Sequence, residues 1–379
     1  MNKHKQAVQG EHLPLIPYHE EFRDTTDEWG KKEMSAMPSA AQEPLESVLG
    51  HYPLKISDIR GESYKGKKGV WWITTNKGVK ILKKISNSEQ TLQFILDAVR
   101  HLIANGIDLP GVNLTKDGKE YVCIEEVCYV LTDAIDGRNP NYDSAEELAL
   151  VARSLGRFHR ASRGFHPSPV TKPKYHLGLW IEDYTEQLTD IKSYYENECM
   201  KKTRDAIGNA VVDSFPGFFE RARKAIDGLR GREYSDWTQE AEMAGCLCHQ
   251  DYAAGNLILT PNGRLFVLDT DSITVDIAAR DIRKLLNKVM KKMGKWDTKT
   301  TSRILRQYQA ENPLTASQWE VVRLDLLFPH LYFGAVNKFV YKRDQDWSNE
   351  KYLERINEMT GFEKSAMPVL EDFKSVIPV

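Results

Sequence analysis

The stretch "CHQDYAAGNLILTPNGRLFVLD", residues 248–269, decides how this chain is read. Asn262-Gly263 lies between two apolar runs, and an Asn-Gly pair in that setting is a strong short-range signal for a β-hairpin. With those two residues as the loop, Pro261 pairs with Arg264. Counting outward, Asn256 then faces Asp269. Directly opposed residues of an antiparallel pair lie about 4.5–5.5 Å apart at Cα. The ribbon therefore brings an amide and a carboxylate to one end, with Asp251 on the loop that enters it.

Oxygen donors from Asn and Asp suit Mg²⁺, which takes one or two carboxylates together with substrate phosphates. Asp251 stands five residues before Asn256. This is the D-x4-N spacing of the kinase catalytic loop, where Asp orients or deprotonates the acceptor hydroxyl and Asn holds a metal. Asp269 is then the principal metal ligand. Asp271 is either a second metal-site carboxylate or a polar turn residue. His249 reads as a hydrogen-bonding residue of the loop rather than a general base. Asp281, with Arg280, is expected to cap the next helix.

Upstream, "GVWWITT" (69–75) and "GVKILKKI" (78–85) are β-prone and joined by the turn signal Asn76-Lys77-Gly78. "TLQFILDAVRHLIANG" (91–106) has helical apolar spacing ended by Gly106, and "EYVCIEE" and "VCYVLTDAI" return to strand character. The order is strand, strand, helix, strand, strand, and then "DGRNP" breaks the chain. A lysine of the second strand is a candidate for phosphate binding, and periodicity leaves Lys80, Lys83 and Lys84 open. Glu89 at the start of the following helix, or Asp97 further on, is available to orient it. "GESYKGKKG" (61–69) contains glycines but does not follow G-x-G-x-x-G.

Helical patterns dominate from about residue 143. Ser144 followed by Glu147 is a capping signal. In "DIRKLLNKVMKKMG" (281–294), Ile282, Leu285, Leu286, Val289 and Met293 share a face. Lys284, Lys288, Lys291, Lys292 and Lys295 lie mostly on the other, which reads as a solvated face. The expected organisation is a flexible arm over 1–44, a small sheet lobe over 45–137 and a helical lobe over 138–379. The class is α+β.

With 41% apolar and 28% charged residues, the composition is that of an ordinary globular protein. A formal charge of −2 gives no basic field for nucleic acid. No apolar run approaches the roughly 20 residues of a membrane helix. The N-terminus lacks the apolar core of a secretory signal, which predicts synthesis in the cytoplasm. Five cysteines, an odd number, argue against a disulfide framework and read as small buried residues. "CLCH" (246–249) lacks a second ligand cluster for zinc.

With these residues in view, the chain resembles the spore coat CotS family, which has the aminoglycoside/choline kinase-like, protein-kinase-like fold. The likeness runs over roughly 45–370. It rests on "KILKKI", "LGRFHRAS", "CHQDYAAGN", "VLDTDSITVDIAARDIRKLLNKVM", "LDLLFPHLYF" and "DWSNEKY". It implies two lobes, ATP and Mg²⁺ as cofactors, Lys83 as the nucleotide lysine and Asp251 as the base. Asn256 and Asp269 become the metal ligands. It also implies a place in the coat of bacterial endospores, made in the mother cell, with other coat proteins as partners. The chain lacks H-R-D and D-F-G, so a small hydroxyl-bearing acceptor is expected rather than a protein. The alternative is an inactive coat component that keeps the shape.

Overall fold

Five antiparallel strands form the sheet lobe in the computed structural model, which describes residues 43–65, 68–343 and 347–377. The elements run α1 (Leu45–Gly50), β1 (Ile56–Lys65), β2 (Lys68–Thr75), β3 (Gly78–Ile85), α2 (Glu89–Ala104), β4 (Val122–Ile124) and β5 (Val127–Asp133). The strand order is β1-β2-β3-β5-β4. The β2–β3 hairpin closes with Thr75 opposite Gly78, whose φ of 85° needs no Cβ to accommodate. α1 and β1 are absent from the expected order. β1 lies at the sheet edge and its described side chains are exposed or half-buried, so it carries no apolar alternation to detect.

α2 joins two cores. Leu92 and Leu96 pack under the sheet with Ile85, Cys128 and Val130. Phe94, Ile95, Val99 and Leu102 belong instead to the main core of the helical lobe, and the Phe94 ring meets Phe165 edge-on at 5.9 Å. Because side chains along one helix serve both lobes, the sheet is fixed to the helical part by apolar burial.

The helical lobe contains α3 (Ala145–Ala161), α4 (Trp180–Met200), α5 (Ala206–Leu229), α6 (Arg232–Ala244), β6 (Leu247–Cys248), β7 (Leu257–Leu259), β8 (Leu265–Val267), β9 (Thr274–Val275), α7 (Ala279–Met293), α8 (Thr298–Gln309), α9 (Ala316–Leu327), α10 (His330–Val340) and α11 (Asn349–Ser365). Two short helices, Met367–Glu371 and Phe373–Val376, follow. The Ser144 side chain accepts from Glu147 N as the sequence suggested. No described helix is long and apolar enough to cross a membrane.

Two expectations need correction. Cys123 and Cys128 are bonded as a disulfide. They oppose each other in the β4–β5 register, at a Cα separation of 4.1 Å, around a two-residue turn in which Glu125 and Glu126 both have positive φ. Glu43, assigned to the arm, is buried in the sheet lobe: one carboxylate oxygen takes Lys84 Nζ at 2.5 Å and the other the Tyr129 hydroxyl at 2.6 Å. Residues 1–42 lie outside the described residues. Removing one member of a buried ion pair costs about 3–5 kcal/mol. Glu43→Ala is therefore expected to lower the urea midpoint clearly, and an unchanged midpoint would return Glu43 to the arm.

Candidate active site

The hairpin forms, but one residue out of the expected register. Leu257 pairs with Val267 and Leu259 with Leu265, so Thr260 faces Arg264 around a three-residue loop. Gly263, with φ 82°, takes the left-handed position that closes such a loop. Asn256 consequently faces Leu268, whose backbone N–H donates to Asn256 O at 2.8 Å. Asp269 is the next residue along and is itself left-handed, with φ 54° and ψ 59°. Asp tolerates that conformation better than most residues.

Asp269 Oδ1 receives Lys83 Nζ at 3.1 Å, from β3 of the opposite lobe. All three candidate lysines are paired, and the pairs tell them apart. Lys80 binds Asp133 at 2.6 Å and Lys84 binds Glu43, both within the sheet lobe, while Lys83 crosses to the hairpin. Burial works against the Lys83 ammonium, but the charges of Asp271 and Asp269 outweigh it and raise its pKa. The Lys83 charge in turn holds the Asp269 carboxyl below its ordinary value. Asp271 is mostly buried, lies 4.0 Å from Lys68 Nζ, and its backbone carbonyl accepts from Lys174 Nζ at 2.8 Å.

Glu89 does not serve Lys83. It is exposed and accepts the Tyr121 hydroxyl at 2.7 Å. Asp97 pairs with Arg100 on its own helix. The carboxylate that orients Lys83 therefore comes from the hairpin, not from α2.

Asp251 and Asn256 are joined directly. Asn256 Nδ2 donates to Asp251 O at 2.9 Å and to Asp251 Oδ2 at 2.8 Å. Its Oδ1 makes no hydrogen bond with the described residues. His249 ties this loop to the segment that follows β8. Its Nδ1 accepts Asp251 N–H at 3.3 Å, and its Nε2 donates to Leu268 O at 2.9 Å. Burial lowers the imidazole pKa and outweighs the neighbouring carboxylates, in keeping with a neutral ring that has one donor and one acceptor nitrogen. Both nitrogens are committed, so His249 positions the loop.

Asp281 was expected to cap α7. The helix instead starts from Ala278 with no side-chain cap, and the buried Asp281 carboxylate points at the loop. It accepts His249 N–H at 2.6 Å and Gln250 N–H at 2.8 Å, and lies 3.2 Å from His159 Nε2. His159 Nδ1 meets the Tyr308 hydroxyl at 2.8 Å, which also receives Asn312 Nδ2 at 2.7 Å. The Cys248 thiol donates to Ile277 O at 3.1 Å, and burial raises its pKa well above the ordinary value. Cys248, His159 and Asp281 cluster within 4.8 Å, yet each is engaged with protein groups, so the cluster is structural.

The lysine side of α7 is only partly solvated: Lys292 is exposed, whereas Lys284 and Lys288 are half-buried against the loop at 250–251. Lys288 Nζ contacts Asp251 Oδ1, Lys284 Nζ donates to Gln250 Oε1 at 2.8 Å, and Lys292 Nζ pairs with Asp143 at 2.8 Å. Periodicity separates the two faces of a helix but does not say what stands opposite the polar one. The linker completes the frame: Arg138 pairs with Leu259 through both backbone groups, and Asn139 Nδ2 donates to Ala254 O and Leu257 O at 3.0 and 2.9 Å. A Cβ on Gly137 would stand 2.6 Å from Leu259 O, so only glycine allows the linker this close.

The fold and this arrangement define a kinase-like protein. An aminoglycoside phosphotransferase from Alicyclobacillus acidocaldarius superposes with a TM-score of 0.74 at 18% identity, covering 92% of this chain and 98% of that one. Residues 54–373 match the family described as "Spore coat putative kinase YutH". Spore coat protein S of Bacillus subtilis is 31% identical over 321 residues, which is 85% of this chain and 91% of that protein. Endospore coat-associated protein YutH of the same organism is 22% identical over 201 residues, 52% of this chain and 56% of that protein. The chain belongs to this family of kinase-like spore coat proteins.

Proposed function

We propose that the chain is a phosphotransferase that uses ATP, or another nucleoside triphosphate, with Mg²⁺ to phosphorylate a small hydroxyl-bearing molecule, and that it works in association with the endospore coat. The observation that carries the chemistry is the convergence of Lys83 on Asp269 across the two lobes, beside the bonded pair Asp251–Asn256. The donor set fits a hard cation. Asn256 Oδ1 and Asp269 Oδ2 make no hydrogen bond with the described residues, and Asp271 adds a carboxylate. A cation held there supplies charge neutralisation to phosphate oxygens. Lys83 adds a point charge for phosphate. Asp251 orients the attacking hydroxyl, and His249 fixes the distance between Asp251 and the hairpin segment. Coat association is supported by the two relatives named as coat proteins.

A second reading, an inactive coat component, draws on one observation: Lys83 has no partner on α2 of the kind protein kinases use. Calorimetric titration with a non-hydrolysable ATP analogue, with and without Mg²⁺, separates the two. Binding that strengthens with Mg²⁺ is expected, and Asp269→Ala should weaken the Mg²⁺-dependent binding by about tenfold or more. A wild-type chain that binds no nucleotide favours the inactive component.

A further inference from the structure

We propose that Lys68, at the start of β2, receives the terminal phosphate of the nucleoside triphosphate. The inference rests on the phosphotransferase reading and deepens it by naming a second lysine of the site and the group it holds. Lys83 stands opposite Val70 in the β2–β3 register, and opposed residues of an antiparallel pair share a face of the sheet. Lys68, two residues before Val70, lies on that same face through the period of two. Both lysines reach the segment after β8. Lys83 Nζ lies 3.1 Å from Asp269 Oδ1, and Lys68 Nζ lies 4.0 Å from Asp271 Oδ2. The positive charge of Lys68 is felt at Asp269 too, behind that of Lys83.

The order along the sheet separates their roles. β5 leaves for the linker beyond Asp133, which stands opposite Lys80. From that end the lysines follow as Lys80, Lys83 and Lys68, and the β1–β2 turn closes the far end. At about 3.3 Å per residue, Lys68 is about 7 Å beyond Lys83. In protein kinases the β3 lysine takes the α- and β-phosphates, and a glycine-rich loop covers the phosphates. Here residues 61–69 lack that glycine pattern, and an ammonium group stands at this end of the sheet instead.

Lys68 is also the sheet lysine that can take a new partner at least cost. Lys80 and Lys84 are held at 2.6 and 2.5 Å by carboxylates of their own lobe. The Lys68 ammonium makes no hydrogen bond with the described residues, and 4.0 Å exceeds hydrogen-bond length, so charge alone holds it beside Asp271. Its side chain is 42% exposed. A cation that takes Asp271 leaves this ammonium facing the phosphate oxygens. The strand beneath it is firmly seated, because a Cβ on Gly69 would strike the buried Trp71 ring.

The test uses the full chain with Mg²⁺, titrated with the non-hydrolysable ATP analogue and with ADP. Lys68→Gln should weaken the ATP analogue about tenfold or more, the worth of a charge-assisted hydrogen bond, and leave ADP within about twofold. Lys68→Arg keeps the charge and should keep the wild-type ratio of the two affinities. The urea midpoint should not move in either variant, since the pair with Asp271 is partly exposed. If Lys68→Gln does not fold, the same comparison with Lys68→Thr carries the test. Equal loss of both nucleotides, or an unchanged ratio, overturns the proposal. A wild-type chain that binds neither nucleotide removes the phosphotransferase reading and this proposal together, whereas wild-type binding with an unchanged ratio in the variant removes this proposal alone.

Discussion

Replacing Asp251 by Asn is expected to lower phosphoryl transfer by about 10²–10⁴-fold, the usual worth of a group that orients or deprotonates the attacking atom. Folding and nucleotide affinity should be close to wild type. The carboxylate has two side-chain partners, Lys288 on Oδ1 and Asn256 Nδ2 on Oδ2. An amide retains one acceptor oxygen, so one of the two contacts survives and the other meets an N–H₂. The side chain is partly exposed, at 24%, so the displaced donor can turn towards water and the stability cost stays small. The loop's anchors, Asp281 and His249, are untouched. The measurements are transfer from labelled ATP under single-turnover conditions and the urea midpoint. A folded variant with wild-type rate removes Asp251 from the chemistry. Spores carrying the variant add a second readout. Normal coats are expected if assembly depends on outer surfaces, whereas a coat defect matching that of a deletion, with the variant folded and abundant, ties the coat to ligand or chemistry.

The parts of the site fixed by local sequence were legible, and those fixed by tertiary contact were not. D-x4-N and the Asn-Gly hairpin are short-range features: Asp251 and Asn256 meet directly, and the hairpin forms, though not in the expected register. The register failed by one residue because Pro261 joins the loop instead of pairing. The gap this leaves before Asp269 is closed by a left-handed backbone, which no periodicity encodes. Lys83 could not be chosen from among Lys80, Lys83 and Lys84 by alternation, since each has a carboxylate and only its identity distinguishes them. The resemblance to a known family selected Lys83. Glu89 was the nearest carboxylate in sequence, but its helix turns it towards Tyr121. Periodicity places the α7 lysines on one side, but the pattern of a single helix contains no information about the loop packed against Lys284 and Lys288. The Cys123–Cys128 pair was readable in principle: two cysteines flanking Ile-Glu-Glu-Val fit a tight hairpin, whereas an odd total of five bears on a framework of several bridges and not on one local pair.

Asp281→Asn is expected to destabilise the fold by about 3–5 kcal/mol, the cost of breaking a buried charged contact from one side. The carboxylate is fully buried and receives two backbone N–H groups, from His249 and Gln250, while His159 Nε2 lies against it. An asparagine presents one acceptor oxygen, so its N–H₂ must face at least one backbone donor that has no access to water. The effect reaches the site because the same two residues carry Asp251. His249 loses the contact that seats it, and with it the spacing between Asp251 and Leu268. Burial pushes the Asp281 carboxyl up, but the hydrogen bond and charge of His159, with the backbone N–H of His249, pull it further down, and the net pKa lies below the ordinary 3.8. A folded-state value below the unfolded one contributes stability that is fully present above the unfolded value. That contribution is lost as pH falls through the folded value. The gap in unfolding free energy between wild type and Asp281→Asn should therefore be constant from neutral pH down to about pH 5 and narrow below about pH 4. Urea denaturation across that range reads both the size and the slope. A gap that widens with acid would reverse the sign and show that the Asp281 carboxyl is protonated more readily in the fold than in the unfolded chain.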